Sequence, residues 1–398
     1  MRARKFIDEM LSRYLTGLHA RLAESLKVAV GSALNGGHLS LSQLARSVES
    51  ATAMRHRIKR IDRLLGNTSL HGARLKIYRA VANDWLAGLD HLLVVIDWSD
   101  ATADQRWHLL RASVAIEGRS VTLYEEIHPQ RKYGNQSVHR QFLSRLAQVL
   151  PAGCVPIILT DAGFKSTWFD LVTAHRWQWI GRIRSRDMVS IAAGPWRHCS
   201  QVYADATSRI QTFSEARYVR SHPTACRLVL VRHPPKGRSR RTKRGAPSRA
   251  RSSLKAARGA REPWLLACAP SLAQSASDTM IKLYAKRMRI EQSFRDIKNE
   301  RLGLGLSATR SGSGQRLEIL LLIGHLASWL MRLIGECAQQ CQMQLHFQSV
   351  PGLKHKEISV LTLARRVIDA APEWLRQLRP KGALKTIHEQ AQQAVYGV

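Results

Sequence analysis

Two apolar runs that each reach an aspartate constrain the fold of this chain most strongly. Residues 91–100 read HLLVVIDWSD and residues 154–164 read CVPIILTDAGF. Continuous apolar runs of this length are typical of central strands that are buried on both faces. The first run ends at Asp97 and the second at Asp161. Because the carboxyl ends of neighbouring parallel strands share one edge of a sheet, we expect the two carboxylates to lie close together.

The segments around these runs predict the order of the remaining elements. The pattern indicates two strands over 107–129 that turn at Glu117-Gly118, a helix over 137–150, a helix over 165–175 and a strand over 177–184. The first three strands are sequential and therefore predicted to be antiparallel, whereas the later ones follow helices. This order is the one expected of an α/β, ribonuclease-H-like core with a mixed sheet.

A third acidic residue lies in the segment 284–298, YAKRMRIEQSFRDIK, which predicts a single helix because it lacks Pro and Gly. At about 100° per residue, Tyr284, Arg287, Glu291 and Lys298 fall within roughly a 60° arc of that helix. The offset face is apolar and should pack on a core; it carries Leu283, Ile290, Phe294 and Ile297. A salt-bridged, solvated stripe is the alternative interpretation of the charged face.

Together Asp97, Asp161 and Glu291 form a candidate metal site. Three carboxylates held close together raise one another's pKa, and divalent cations offset this repulsion. Two Mg²⁺ ions about 3.5–4 Å apart, bridged by such carboxylates, stabilise the attacking and leaving oxygens of a phosphoryl transfer. Arg287 and Lys298 on the face of Glu291 would then bind phosphates.

Neighbouring acids compete for these roles. Asp100 is a rival of Asp97, although the apolar run leading straight into Asp97 favours the latter. Asp296 and Glu300 are rivals of Glu291, and the helical face disfavours Asp296. Asp161 has an alternative role as a turn or helix-capping residue.

The charge of the chain indicates a polyanionic partner, because the chain has 62 Lys and Arg residues but only 29 Asp and Glu residues, a formal net charge of +33.

The first residues are charged and lack the apolar centre of a secretory leader. The apolar run 319–331 is too short for a membrane span and predicts a buried helix. Six scattered cysteines fit a reducing cytoplasm, so we expect a cytoplasmic protein with no membrane partner.

Residues 1–85 predict a helical DNA-binding domain. The segments 39–49 and 54–67 predict two amphipathic helices with a short junction, similar in pattern to a helix-turn-helix. The second helix carries the cations Arg55, Arg57, Lys59, Arg60 and Arg63. We expect Arg57, Lys59 and Arg60 to contact DNA phosphates, and a solvated basic face is the alternative.

The remaining chain divides into a catalytic domain over 86–313 and a helical C-terminal region over 314–398, a candidate for dimerisation. Within the catalytic domain, residues 185–262 predict a β-rich insertion with short strands at QVYAD (201–205) and CRLVLVRH (226–233). Residues 236–261 carry eleven Lys and Arg and no acid, which predicts a mobile loop that orders on nucleic acid or a solvated linker.

The spacing Tyr284-x2-Arg287-x3-Glu291-x6-Lys298 resembles the signature of the insertion-sequence-four family of bacterial DDE transposases. The contexts of Asp97 in VVIDWSD and of Asp161 in LTDAGF are similar to those of the two aspartates of that family. Further similarity runs from about residue 55 to 325 and includes KRIDRLLGN, LRASVAIEGRSVTLYE, EPWLLA and GLGL.

The resemblance implies cut-and-paste transposition of an insertion sequence, with Asp97, Asp161 and Glu291 binding two Mg²⁺ ions for which Mn²⁺ can substitute. Water would nick a DNA strand at the end of the element, and the freed 3′-hydroxyl would form and later release a hairpin before the ends join target DNA. The partners implied are double-stranded DNA, as transposon ends and target, and a second copy of the chain in a synaptic homodimer that associates with the bacterial nucleoid.

The resemblance also implies DNA contacts near the scissile phosphate for Tyr284, Arg287 and Lys298. A flipped base would stack on Trp264, and Met288 would fill the space that the base leaves. From the residues alone, Trp264 is equally well read as a core side chain of a strand. Two other functions stay open: a ribonuclease-H-like nuclease without strand transfer, and a domesticated, non-catalytic DNA-binding protein.

Overall fold

A computed structural model describes residues 4–185, 187–234, 242, 246–300, 303–348 and 358–396. The helices are α1 (Arg4–Tyr14), α2 (Ala20–Leu34), α3 (Leu41–Arg46), α4 (Met54–Leu65), α5 (Thr68–Leu86), α6 (Gln136–Val149), α7 (Ser166–Ala174), α8 (Cys199–Val202), α9 (Arg251–Arg261), α10 (Ser277–Ala285), α11 (Arg289–Lys298), α12 (Gly314–Gln340), α13 (Val360–Ala370) and α14 (Pro380–Tyr396). The strands are β1 (His91–Asp100), β2 (Trp107–Ile116), β3 (Arg119–Pro129), β4 (Val155–Thr160), β5 (Gln178–Arg182), β6 (Met188–Ile191), β7 (Arg197–His198), β8 (Gln211–Tyr218), β9 (Thr224–Val231) and β10 (Trp264–Cys268).

The chain folds as two compact units. The first contains the described residues up to Cys154 and those from Met288 to Tyr396, and the second runs from Val155 to Arg287. These limits come from spatial contacts, and the domain boundaries near 85 and 313 remain a prediction from the sequence.

The strands β1, β2 and β3 of the first unit form an antiparallel meander. The predicted turn between β2 and β3 is present, and Gly118 adopts a φ of +67° there, a conformation that costs glycine little. The predicted order of three antiparallel strands, a helix, a strand, a helix and a strand is confirmed.

The helix α12 forms the centre of the first unit. It contacts α2, α13, α14 and β3, and nearly all of its length between Leu317 and Ala338 is buried. Among the described helices, only α12 is long and apolar enough to cross a membrane, and 89% of its most apolar stretch is buried inside the protein. The predicted buried helix at 319–331 lies within it.

The strands of the second unit follow the order β4-β5-β10-β9-β8-β6-β7. The pair β4 and β5 is parallel, and every other neighbouring pair in this order is antiparallel. The sheet is therefore mixed, as the sequence predicted, with α7 packed on β5 and β9.

Two expectations for the insertion were wrong. Residues 251–261 of the predicted basic loop form α9, because Ala, Lys, Arg and Leu there favour a helix despite a single Gly; residues 235–241 and 243–245 lie outside the described part of the chain. The predicted strand at 201–205 is the end of α8 and a 3₁₀ turn. A capping box formed by His198 and Gln201 starts this helical turn.

A close approach in the second unit gives a stability prediction. A Cβ atom added to Gly181 would overlap the ring of Phe169, which is stacked on Trp179 with centroids 4.2 Å apart. We expect Gly181→Ala to lower the free energy of unfolding by about 1–3 kcal/mol, measured by urea denaturation. Gly72→Ala in α5 is the control, because its new Cβ meets nothing within 4 Å; it should raise stability by roughly 0.5–1 kcal/mol. Equal effects of the two changes would contradict the prediction.

Candidate active site

Asp97 lies inside β1, so the expectation that the strand ends there was wrong. Pairing with β2 continues from Asp97 opposite Arg111 to Asp100 opposite His108, which extends the strand by three residues. The side chain of Asp97 is half-buried, and its Oδ1 accepts a hydrogen bond of 2.8 Å from the backbone N–H of Trp98. This bond fixes one carboxylate oxygen.

Asp161 directly follows β4, as predicted. Its Oδ1 accepts a hydrogen bond of 2.8 Å from the backbone N–H of Gly163, and the side chain is half-buried. The residue therefore shapes the turn between β4 and α7, which is the alternative role that the sequence allowed. The bond uses one lone pair of the carboxylate and leaves acceptor capacity for a ligand.

The segment 284–298 is not the single helix that the sequence predicted. The helix α10 ends at Ala285, a 3₁₀ turn covers Lys286–Met288, and α11 begins at Arg289. A 3₁₀ turn advances about 120° per residue instead of about 100°, so an arc drawn on one continuous helix does not apply across it. Tyr284 and Arg287 belong to the second unit, whereas Glu291 and Lys298 belong to the first.

The apolar residues of this segment behave as predicted. Ile290, Phe294 and Ile297 of α11 are buried, as is Leu283 of α10. Glu291 is half-buried and lies at the border of this apolar face.

The helix α11 packs on the face of the meander that carries Asp97. In antiparallel pairs, directly opposed side chains point to the same face, so Asp97, Arg111 and Glu125 share one face. Arg111 Nη1 donates to the backbone oxygen of Ser293 in α11 at 3.2 Å. The guanidinium also lies 5.1 Å from the ring centroid of Phe294. The catalytic candidates of β1 and α11 therefore lie on the same side of the strands.

Lys298 connects the end of α11 to β1. Its Nζ donates a 2.6 Å hydrogen bond to Ser99 Oγ, and Ser99 shares the strand face of Asp97 because it lies two residues further on. Burial lowers the pKa of Lys298, while the negative charges of Asp100 and Asp97 act in the opposite direction. Lys298 is therefore a cation that the aspartates of β1 attract.

Glu291 lines a cavity of about 480 Å³ together with Ser99 and Lys298. Its rival Glu300 lines the same cavity and is exposed. Asp296 lines a different cavity and pairs with Arg119 at 3.4 Å, as the predicted helical face suggested. Ser99 was not among the residues predicted from the sequence, and its only signal there was the two-residue spacing from Asp97.

Two predicted DNA-binding residues of the second unit, Trp264 at the start of β10 and Tyr284, contact each other. The ring of Trp264 is half-buried and packs edge-to-face against Tyr284, with centroids 5.2 Å apart, and against His233 at 4.6 Å. Tyr284 is buried, with 4% of its surface exposed. Its ring therefore also serves as packing for Trp264, a contact that the sequence did not predict.

The predicted phosphate contacts in α4 differ in their surroundings. Arg57 is half-buried, and its Nη1 donates to the backbone oxygen of Val48 at 3.0 Å, which joins α4 to the residues after α3. Lys59 is exposed and Arg60 is half-buried. Of these three residues, Lys59 offers the most accessible charge.

The donors of the candidate metal site are carboxylate oxygens, the ligand type that Mg²⁺ prefers, so the residues fit this ion by chemistry. Among the residues that the structure describes, no three His, Cys, Asp or Glu side chains lie close enough to hold a metal ion. The joint site of Asp97, Asp161 and Glu291 therefore stays a prediction.

Comparison with known proteins gives one finding. A family model described as the transposase DDE domain matches residues 88–330, which is more than half of the chain and includes all three candidate acids. No curated protein matches the chain.

Proposed function

Because this chain belongs to the family of the transposase DDE domain, we propose that it carries out cut-and-paste transposition of an insertion sequence. As a transposase, it is a metal-dependent enzyme that cleaves DNA and transfers strands. The finer steps proposed are nicking of one strand, attack of the freed 3′-hydroxyl to form a hairpin, opening of the hairpin and joining of the ends to target DNA. The enzyme would first bind the terminal inverted repeats of its element.

The finer assignment that we propose is the insertion-sequence-four family, with the transposase of transposon ten as a related protein. The support is the spacing of Tyr284, Arg287, Glu291 and Lys298 together with the contexts of the two aspartates. This support is a spacing in the sequence, so it does not depend on whether residues 284–298 form one helix or two.

We assign the metal-binding role to Asp97, Asp161 and Glu291, which would hold two Mg²⁺ ions, with Mn²⁺ as a substitute. The ions would supply Lewis-acid stabilisation of the charge that develops on the attacking and leaving oxygens. The N–H groups of Trp98 and Gly163 each hold one carboxylate oxygen of the two aspartates in a fixed orientation.

The observation that carries the proposal is the packing of α11 on the Asp97 face of the meander. The Lys298–Ser99 hydrogen bond joins the helix of Glu291 to the strand of Asp97. Glu291 and Lys298 of α11 therefore lie on the same side of the meander as Asp97 of β1. A site that binds a phosphate and a metal ion needs such a combination of acids and a cation. Lys298 would bind a phosphate oxygen of the scissile strand as a point charge.

The DNA contacts that the resemblance implies are compatible with the surface exposure of the assigned residues. Arg287 and Met288 are half-buried, so each keeps surface available to a strand, and Tyr284 would act mainly through its hydroxyl because its ring is buried. Trp264 would stack on a flipped base, to which an aromatic face contributes roughly 1–3 kcal/mol. Arg57, Lys59 and Arg60 would bind phosphates at the end of the element.

The organisation proposed is a DNA-binding domain over 1–85, a catalytic domain over 86–313 with an insertion over 185–262, and a C-terminal region over 314–398 that supports dimerisation. Two copies would hold two transposon ends in one synaptic complex. The place of action would be the bacterial cytoplasm, on the nucleoid.

The test is a strand-joining assay with precleaved ends, a target plasmid and Mg²⁺. We expect covalent joining of the 3′ ends to the plasmid, because the site that activates water also activates a 3′-hydroxyl. Ends bearing a 3′-dideoxy nucleotide are the control and should give no joined product. Nicking of an uncleaved end, in a parallel reaction, without joining of the precleaved ends would indicate a nuclease, and binding without either reaction would indicate a non-catalytic DNA-binding protein.

A further inference from the structure

An exposed aromatic ring lies beside the end of β1. Tyr133, in the turn between β3 and α6, is 52% exposed. Its ring packs on Trp98 with centroids 5.1 Å apart and on His108 at 4.9 Å. An aromatic ring that is exposed on one face and packed against other rings can stack with a further planar group.

A partly buried hydrogen bond orients Trp98, on which the ring of Tyr133 packs. Trp98 Nε1 donates to Nε2 of His139 at 3.2 Å. Burial lowers the pKa of His139 to about 4, so the imidazole is neutral at pH 7 and its Nε2 can accept the bond. The bond orients Trp98, which in turn supports one face of the ring of Tyr133.

Three exposed cations flank Tyr133 along the chain. Arg131 and Lys132 precede it in a 3₁₀ turn, and Arg140 follows in α6; all three are exposed, and within the described residues none of them makes an ion pair. The sequence between Glu126 and Asp161 contains no acid. The surface therefore combines an accessible aromatic face with exposed cations of the same segment, while His108, which packs on the ring of Tyr133, is paired with Asp100 at 3.3 Å.

We propose that Tyr133, Arg131 and Lys132 form a binding surface for single-stranded DNA, in which an unpaired base stacks on Tyr133 and the adjacent phosphates contact the cations. The inference rests on the proposed function and extends it, because Trp98 directly follows Asp97 in β1, with its side chain on the opposite face of that strand. Cations alone would serve a duplex equally well. A duplex has its bases stacked on one another, whereas an unpaired base has a free face to offer to the ring.

The test measures binding without metal, by fluorescence anisotropy, to a labelled thymidine oligonucleotide of roughly 12 nucleotides and to an abasic strand of equal length. We expect Tyr133→Ala to weaken binding to the thymidine strand about tenfold and to leave the abasic strand unaffected, because only a base can stack. Tyr133→Phe should retain the affinity. Arg131→Ala/Lys132→Ala should weaken binding to both strands and reduce the salt dependence.

The control is Tyr396→Ala, which removes another exposed tyrosine, 59% accessible, at the end of α14, and should change neither affinity. Equal losses on the thymidine and abasic strands, or no loss with Tyr133→Ala, would overturn the proposal. Strand joining by the unchanged protein tests the proposed function separately, so a failure of one is distinguishable from a failure of the other.

Discussion

Replacing any one of Asp97, Asp161 and Glu291 by its amide is expected to slow DNA strand cleavage by a factor on the order of 10³ in the presence of Mg²⁺. Each substitution keeps the size of the side chain but removes the negative charge that would hold the metal ion, so transition-state stabilisation of several kcal/mol is lost. The measurement is the single-turnover rate of nicking on a labelled transposon end. Binding of the same DNA without metal should stay close to that of the unchanged protein.

Two neighbouring acids provide matched controls. Asp100→Asn changes the rival aspartate of β1, and Glu300→Gln changes the exposed glutamate that lines the same cavity as Glu291. Both variants should cleave within a few-fold of the normal rate. A normal rate for Glu291→Gln together with a large loss for Glu300→Gln would move the metal-binding role to Glu300, and normal rates for all three primary variants would reject the proposed chemistry.

The second large effect concerns the buried ion pair between Arg111 and Glu125. Both side chains are at most 2% exposed, and Nη2 and Nε of Arg111 bond to Oε2 of Glu125 at 2.6 and 2.7 Å. Arg111→Met would leave Glu125 buried and charged beside an apolar side chain. We expect this variant to lower the free energy of unfolding by about 3–5 kcal/mol, measured by urea denaturation.

Arg111 also bonds to Ser293 in α11, the helix that carries Glu291. We therefore expect Arg111→Met to cleave DNA more slowly even at temperatures where it is still folded, because this link between β2 and α11 is lost. Arg119→Met is the control: it removes the half-buried pair with Asp296, whose atoms are 3.4 Å apart, and should cost no more than about 1 kcal/mol. The double variant Arg111→Met/Glu125→Leu should recover part of the loss, since no unpaired charge remains buried. Equal stability of Arg111→Met and Arg119→Met would contradict the prediction.

The sequence predicted the elements whose signals are local. The apolar runs identified β1 and β4, and the spacing of Ile290, Phe294 and Ile297 identified the buried face of α11. The turn at Gly118 followed from a residue type that tolerates positive φ. Each of these features depends on neighbours within a few positions of the chain.

Features that depend on distant partners were missed. The extension of β1 to Asp100 is set by pairing with β2, and the end of α10 at Ala285 is marked by no Gly or Pro. Arg111 looks like an ordinary strand residue in the sequence, because its partners Glu125 and Ser293 are 14 and 182 positions away. No local pattern contains this information.

The central position of α12 has a consequence for the synthesis of the protein. The partners α2, α5 and β3 leave the ribosome long before residues 314–340 do, so their apolar surfaces have no final partner during most of translation. A nascent chain that stops short of this helix would expose those surfaces and become prone to aggregation or proteolysis. Emergence of residues 314–340 from the ribosome is therefore the step that lets the N-terminal segments reach their native packing.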